Sequence, residues 1–231
     1  MGQKKYGPFN RPKGTIIAAK LPDGAIVTLA TTYATALTVS AITNASTAVA
    51  TSTAHTLVNG DIVTLVSGWS NLNNRVVRVS GATANTFNLE GIDTTLTTLY
   101  PTGSGGGTAQ KISAFTQISQ ILDFSTSGGD QNFATFSFLE QNFETQIPTI
   151  TSAQTITIGI ADDPSLTGYI ALKTANDTRA IRALRLTLPD NSLIFYQGYV
   201  SFNESPTLTK GSVMSVKATL SLQSRPIRYV S

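Results

Sequence analysis

The only histidine of the chain, His55, is the residue best suited to acid–base chemistry, because an imidazole titrates near neutral pH. In a hydrolytic relay it would have to activate a hydroxyl group and be oriented by a carboxylate, for which Asp61 is the nearest candidate in the sequence. Serine and threonine make up about a quarter of all residues, so a hydroxyl close to His55 is expected by chance. The pattern therefore predicts no catalytic site, and we expect the protein not to be an enzyme.

Two other motifs could bind a phosphate or a cation. Gly105-Gly106-Gly107 lacks the Lys-Ser/Thr pair of a phosphate-binding loop, and no helix is predicted after it. Asp162 and Asp163 precede Pro164 as at a helix N-terminus, where carboxylates are favourable without any ligand. Three further carboxylates lack the spacing of a calcium loop: Asp130, Glu140 and Glu144. Since the chain also has no cysteine, we expect no metal site and no cofactor.

The composition is poor in charge and rich in hydroxyl groups. Only 13% of the 231 residues are charged, whereas an average globular protein has about a quarter. Hydrophobic residues make up 41%, enough for a core, and the many threonines favour β structure because β-branched side chains fit a pleated surface. No apolar run approaches the roughly 18 residues of a membrane span, and the N-terminus lacks the apolar segment of a secretory signal. We therefore expect no membrane insertion.

The C-terminal half is predicted to form antiparallel strands around one short helix. Four segments are predicted as strands, most of them from an apolar–polar alternation of period two: 154–160, 180–188, 193–202 and 213–222. Asp163 as the N-cap and Pro164 at the first helical position predict a helix that ends near Asn176. The fold class is therefore predicted to be mainly β, with two packed antiparallel sheets as a sandwich or partial barrel, one short α-helix and an inserted small all-β domain.

That insert, residues 41–110, is called the middle module below. It contains few charges, and Asn59-Gly60 gives a hairpin signal before the first of three short predicted strands, 62–66, 76–79 and 86–89. Its C-terminal end, 103–107, is predicted to be a flexible glycine-rich link. We therefore divide the chain into a β-sandwich domain, residues 1–40 and 111–231 with an N-terminal arm at 1–14, and the middle module.

Two segments are candidates for contact with another molecule. Residues 1–40 carry five basic residues and one acidic residue, so the net charge of +3 belongs mainly to the N-terminal arm. This arm is interpreted either as a solubilising terminus or as a docking arm for a neighbouring subunit or a polyanion. The segment 133–143 is rich in phenylalanine beside a glycine turn. It is interpreted either as a core strand or as a hairpin that buries its apolar residues against another chain.

Several stretches resemble the major tail tube protein of long-tailed, siphovirus-type bacteriophages. The resemblance is carried by these segments: Ser127–Gln131, Phe138–Glu140, Gln146–Thr149, Asp163–Leu166, Gly168-Tyr169, Leu184–Asp190, Gln197–Phe202 and Met214–Pro226. The middle module, with Ala54–Asp61 and Asn85–Asp93, is similar to a small β module that recurs in phage virion proteins.

The resemblance implies a structural virion protein, located in the tail and assembled in the cytoplasm of the host bacterium. Six copies would form a ring in which the sheets of neighbours join, and the rings would stack into a tube that serves DNA ejection. Its implied partners are other copies of itself, the tape measure protein in the lumen, the tail terminator and distal tail proteins at the ends, and DNA in transit only. The middle module would project outward, because a lumen that passes DNA cannot hold it.

Within this interpretation we assign the contacts between subunits to the glycine turn, the phenylalanine-rich segment and the basic arm. The residues are Lys4, Lys5, Arg11, Ser127, Gly128, Gly129, Asp130, Gln131, Phe133, Phe136, Phe138 and Phe143. The alternative function is a non-catalytic β-sandwich that serves binding or adhesion. That alternative would need aromatic platforms on an exposed face, and Trp69 is the only tryptophan.

Overall fold

The computed structural model describes residues 22–230, which form sixteen strands and one helix. The first half contains β1 (Ile26–Tyr33), β2 (Leu37–Val39), β3 (Ala41–Ile42), β4 (Val49–Thr51), β5 (Ile62–Ser67), β6 (Arg75–Ser80), β7 (Thr86–Leu89) and β8 (Gly107–Ile118). The second half contains β9 (Ile121–Ser127), β10 (Gln131–Phe136), β11 (Thr145–Thr151), β12 (Thr155–Ala161), α1 (Thr167–Thr178), β13 (Ile181–Thr187), β14 (Leu193–Thr207), β15 (Ser215–Leu222) and β16 (Ile227–Tyr229). The mainly β fold class with one helix is thus confirmed.

Most strands belong to one curled antiparallel sheet. Its strand order is β3-β4-β7-β6-β5-β8-β1-β13-β14-β15-β12-β9, and β2 and β16 pair beside this path with β8 and β14. β10 and β11 form a separate two-stranded sheet. The packed layers expected from the sequence are therefore parts of one large sheet that curls over its own core.

The main core lies between one face of this sheet and α1. Ile156, Ile158 and Ile160 of β12 are at most 2% exposed, as their period-two spacing predicts. Each stands in register with an apolar residue of β15, in the order Leu220, Ala218 and Val216. From the helix, Tyr169 packs edge-on against Phe202, with ring centroids 4.8 Å apart. α1, the helix found in residues 22–230, is neither long nor apolar enough to cross a membrane.

The helix begins at Thr167, later than the predicted start at Asp163 and Pro164. The Asp163 carboxylate accepts hydrogen bonds from the amide and the hydroxyl of Ser165, over 3.1 and 2.6 Å. The Leu166 amide donates to the Asp163 carbonyl over 3.2 Å, which closes a separate turn ahead of the helix. The prediction of Asp163 as the N-cap is therefore wrong, because its side chain stabilises this turn instead; Leu166 occupies the N-cap without a side-chain bond.

In the middle module, β5, β6 and β7 confirm the three predicted strands. The long strand β8 was not predicted, and it runs through the expected domain boundary between residues 110 and 111. Its N-terminal half pairs with β2 and β5, whereas its C-terminal half pairs with β1. The division into two domains stays a prediction, and the backbone of β8 is continuous across it.

Within the glycine-rich segment that leads into β8, Gly105 is packed against the module core, so the prediction of a flexible link fails at this residue. Trp69 is 1% exposed, and its indole Nε1 donates to the Pro101 carbonyl over 2.7 Å. A Cβ atom at Gly105 would lie 2.8 Å from this indole ring, closer than side-chain carbons normally approach. Glycine is needed here because the ring occupies the space that a side chain would fill.

A second interface joins the middle module to the face of β1, β13 and β14 that lies opposite the α1 core. One buried cluster contains residues of both parts: Ala30, Val76, Ile112, Ala183, Phe195 and Tyr229. The C-terminal strand β16 pairs with β14, and its Ile227 packs against both this cluster and the core of the module. The module is thus held by side-chain packing as well as by the shared strand.

Candidate functional site

β10 and β11 form an antiparallel hairpin, residues 131–151, that stands apart from the main sheet. Six large apolar side chains of the hairpin are more than half exposed: Phe133, Phe138, Leu139, Phe143, Ile147 and Ile150. Soluble monomers rarely leave a large apolar surface uncovered, and such surfaces mark interaction sites. The core-strand interpretation of this segment is therefore wrong; the segment forms an exposed hairpin, and its burial against another chain stays a prediction.

The base of the hairpin is narrow and hydrogen-bonded. Gly128 and Gly129 both have positive φ, +74° and +84°, and a Cβ at Gly128 would lie 2.0 Å from the Ala153 carbonyl oxygen. The Ser152 amide donates to the Asp130 carbonyl over 2.8 Å, and the Asp130 amide donates to the Ser152 hydroxyl over 3.0 Å. The glycines let the two chain segments come this close, so the hairpin leaves the sheet at a defined point.

The tip of the hairpin, residues 137–144, also has a defined conformation. The Gln141 amide donates to the Phe138 carbonyl over 3.0 Å and closes the turn. The rings of Phe136 and Phe138 make an edge-to-face contact with centroids 5.4 Å apart. Ordering these side chains in advance lowers the entropy lost when a partner binds.

The structure places most of the predicted contact residues on this hairpin or at its base. Ser127 ends β9, where it pairs with Thr155, and Gln131 begins β10, where its side chain donates to the Thr149 carbonyl over 2.9 Å. The four predicted aromatic residues follow on the hairpin: Phe133, Phe136, Phe138 and Phe143. The three basic residues of the predicted site, Lys4, Lys5 and Arg11, lie outside the described residues.

The tip is acidic as well as apolar. Glu140 and Glu144 flank its apolar residues, and neither forms an ion pair with another described residue. The ion pairs of the described chain lie elsewhere: Arg78 with Glu90, Lys111 with Asp61, and Lys173 with Glu204. The hairpin thus offers a partner two free carboxylates beside exposed apolar groups.

A second exposed apolar tip, between β14 and β15, was missed from the sequence. β14 continues to Thr207, beyond its predicted end at Phe202, and β15 starts only at Ser215. Leu208, Val213 and Met214 on the connecting loop are 70%, 63% and 49% exposed. The prediction had placed Val213 and Met214 inside a strand. The signal for a tip was the turn-forming Lys210-Gly211-Ser212 between apolar residues.

His55, the candidate for acid–base chemistry, is buried in the middle module. It is 6% exposed, and its Nδ1 accepts a hydrogen bond from the Leu57 amide over 3.3 Å. Asp61 does not orient it, because one carboxylate oxygen accepts from the Val58 amide over 2.9 Å and the other pairs with Lys111 over 2.7 Å. The imidazole and the carboxylate thus serve the local fold and do not form a relay.

Two other site types find no support in residues 22–230. No group of three or more His, Cys, Asp or Glu side chains in that range could hold a metal ion. Trp69 is buried edge-on against Tyr100, with ring centroids 5.2 Å apart, so it cannot be the exposed platform of a carbohydrate-binding surface. The surface with the clearest potential for interaction is therefore the β10–β11 hairpin.

Comparison with protein families places part of the chain in a known family. A family model described as phage tail tube protein, TTP, matches residues 67–231, which is more than half of the chain. The matched range contains the hairpin, α1 and all strands of the C-terminal half. The search of curated proteins found no match.

Proposed function

The chain belongs to the phage tail tube protein family, and from this premise we propose that six copies form a ring and that the rings stack into the tube that carries DNA. Membership in this family makes the protein a structural component of the phage tail. The observation that carries the proposal of rings and a tube is the β10–β11 hairpin, six of whose large apolar side chains are more than half exposed in the described chain. Association with further copies would remove this surface from water.

The edges of the main sheet support the same proposal. β9 lies at one end of the strand order and has mostly exposed residues. An open strand edge is an aggregation hazard unless it is covered or paired. Pairing of this edge with a neighbouring copy would give its backbone N–H and C=O groups hydrogen-bond partners. If each copy is rotated relative to the last so that the sixth meets the first, the same contact closes a ring.

The charge-poor composition suits the proposed conduit. Each phosphate that pairs with Lys or Arg adds salt-dependent affinity, so a tube that passes DNA benefits from few such contacts.

The proposed partners are the tape measure protein in the lumen before ejection, and the tail terminator and distal tail proteins at the ends. The middle module is proposed to lie outside the tube, and it packs on the face of β1, β13 and β14 that lies opposite the α1 core.

Electron microscopy of the purified protein tests this function. We expect stacked rings on the order of 100 Å across, for six neighbouring domains with a radius of gyration of about 17 Å. The matched variant lacks residues 131–151 and joins Asp130 directly to Ser152, whose backbones already hydrogen-bond over 2.8 Å. This variant should remain a folded monomer because β9 and β12 keep their pairing. A full-length protein that stays monomeric at high concentration would refute the proposed tube and favour the binding or adhesion module.

A further inference from the structure

A shallow apolar groove runs along α1 where the helix crosses β1 and β8. Its volume is about 300 Å³, and its lining includes Thr31, Thr116, Ile170, Ala171, Thr174 and Arg182. Ile170 of α1 is half exposed, so an apolar side chain of the helix is open to solvent at the groove. The groove therefore has room for one or two large side chains, and an apolar wall to receive them.

The groove carries a cation at its rim. The Arg182 guanidinium lies 5.6 Å from the centroid of the Tyr33 ring and forms no ion pair with another described residue. The neighbouring cation on the helix, Lys173, is already paired with Glu204 at 2.7 Å. An occupant that brings both apolar groups and a carboxylate would complement this rim.

We propose that the groove receives the hairpin tip, residues 137–144, of a second copy of the chain. This tip combines the fully exposed Leu139 with the unpaired carboxylates of Glu140 and Glu144. The other exposed tip, 207–214, carries Lys210 and no carboxylate, so it would place a cation beside Arg182. Of the two apolar tips, only the β10–β11 tip matches the groove in both polarity and charge. The inference rests on the proposed function and identifies the surface that would receive the hairpin.

Cysteine cross-linking tests the contact, since the natural chain has no cysteine. Asn142→Cys places a thiol on the tip and Thr174→Cys places one in the groove, and both substitutions leave the apolar contact residues unchanged. Under mild oxidation the double variant should give a ladder of covalent oligomers. Each single variant can give at most a dimer. A ladder that ends at six copies would place the contact within a ring, and a longer ladder would place it between rings.

The matched control pairs Asn142→Cys with Thr97→Cys, an exposed residue of the middle module. Its yield of oligomers larger than a dimer should be at least tenfold lower. Tubes that form normally without the Asn142–Thr174 ladder would overturn the inference and leave the proposed function intact. Protein that forms no assembly at all would overturn both.

Charge exchange provides an independent readout. Arg182→Glu alone, or Glu140→Lys with Glu144→Lys, should raise the protein concentration needed for tube formation about fivefold, because each puts like charges at the contact. The triple variant should return to within about twofold of the natural protein. Effects that simply add in the triple variant would show that these residues do not meet.

Discussion

The hydroxyl of Tyr229 accepts a hydrogen bond from the backbone amide of Arg78 over 2.8 Å, although 151 positions separate the two residues. The same hydroxyl donates to the Glu90 carbonyl over 3.1 Å. The Arg78 guanidinium lies 4.4 Å from the centroid of the Tyr229 ring and pairs with the Glu90 carboxylate. The Tyr229 side chain thus adds hydrogen bonds to the packing of Ile227 in linking the C-terminal strand to the middle module.

Replacement of Tyr229 by phenylalanine should destabilise the protein by about 1–3 kcal/mol. The ring would keep its packing against Phe195, whereas the Arg78 amide and the Glu90 carbonyl would each lose a hydrogen-bond partner. Urea denaturation at neutral pH measures the change. Tyr199→Phe is the matched control, because Tyr199 is 43% exposed, and its free energy of unfolding should change by less than about 0.5 kcal/mol. Equal effects of the two substitutions would contradict the role assigned to Tyr229.

The same phenol should make the protein sensitive to alkali. Burial raises the pKa of Tyr229 to about 12 from its ordinary value of 10.0. The folded-state pKa lies above the unfolded one, so the stabilisation is complete below pH 10 and is lost as the pH rises through about 12. The loss should be on the order of 2–3 kcal/mol.

Unfolding free energies measured between pH 9 and pH 12 check this dependence. Burial also raises the pKa of Tyr33 and of Tyr196, so Tyr229→Phe should reduce the slope and not abolish it. An unchanged slope in Tyr229→Phe would show that other groups control alkaline unfolding.

Gly105→Ala should destabilise the protein by about 1–3 kcal/mol, because the new methyl group would overlap the Trp69 ring. Gly159→Ala is the matched control, since the nearest atom to its added Cβ would be 3.6 Å away and neither glycine has a positive φ. Thermal unfolding, followed by the fluorescence of the single tryptophan, measures both. A flexible link at 103–107 would instead tolerate alanine at position 105 without loss.

Leu139→Ser should impair tube formation without lowering stability. The Leu139 side chain is fully exposed in the single chain, so its loss should change the free energy of unfolding by less than about 0.5 kcal/mol. Sedimentation of assembled tubes should show a higher concentration threshold, because the serine would bury less apolar surface on association. Leu96→Ser, at a 55% exposed position of the middle module, should leave the threshold unchanged. A threshold raised equally by both variants would indicate general loss of apolar surface and no specific contact at the tip.

Much of the fold could be predicted because its signals are local. The alternation in β12 and in β13 follows from the geometry of a strand, in which successive side chains point to opposite faces. The short strands β5, β6 and β7 were also predictable from local signals, because turn-forming residues separate them. The composition of the phenylalanine-rich segment identified it as a contact candidate. Its two interpretations, core strand and exposed hairpin, differ only in whether other parts of the chain cover it, and local sequence does not contain that information.

The sequence by itself therefore determined the β class, the one helix of the described chain, the four strands β12 to β15 and the resemblance to tail tube proteins. Only the tertiary structure decided that 131–151 is an exposed hairpin, that Gly105 is packed against Trp69, and that Asp163 closes a turn ahead of the helix. It also decided that β8 runs through both predicted domains and that Tyr229 bonds Arg78. The reason is physical: strand alternation is set by neighbours along the chain, whereas burial and hydrogen-bond partners are set by residues far away in sequence.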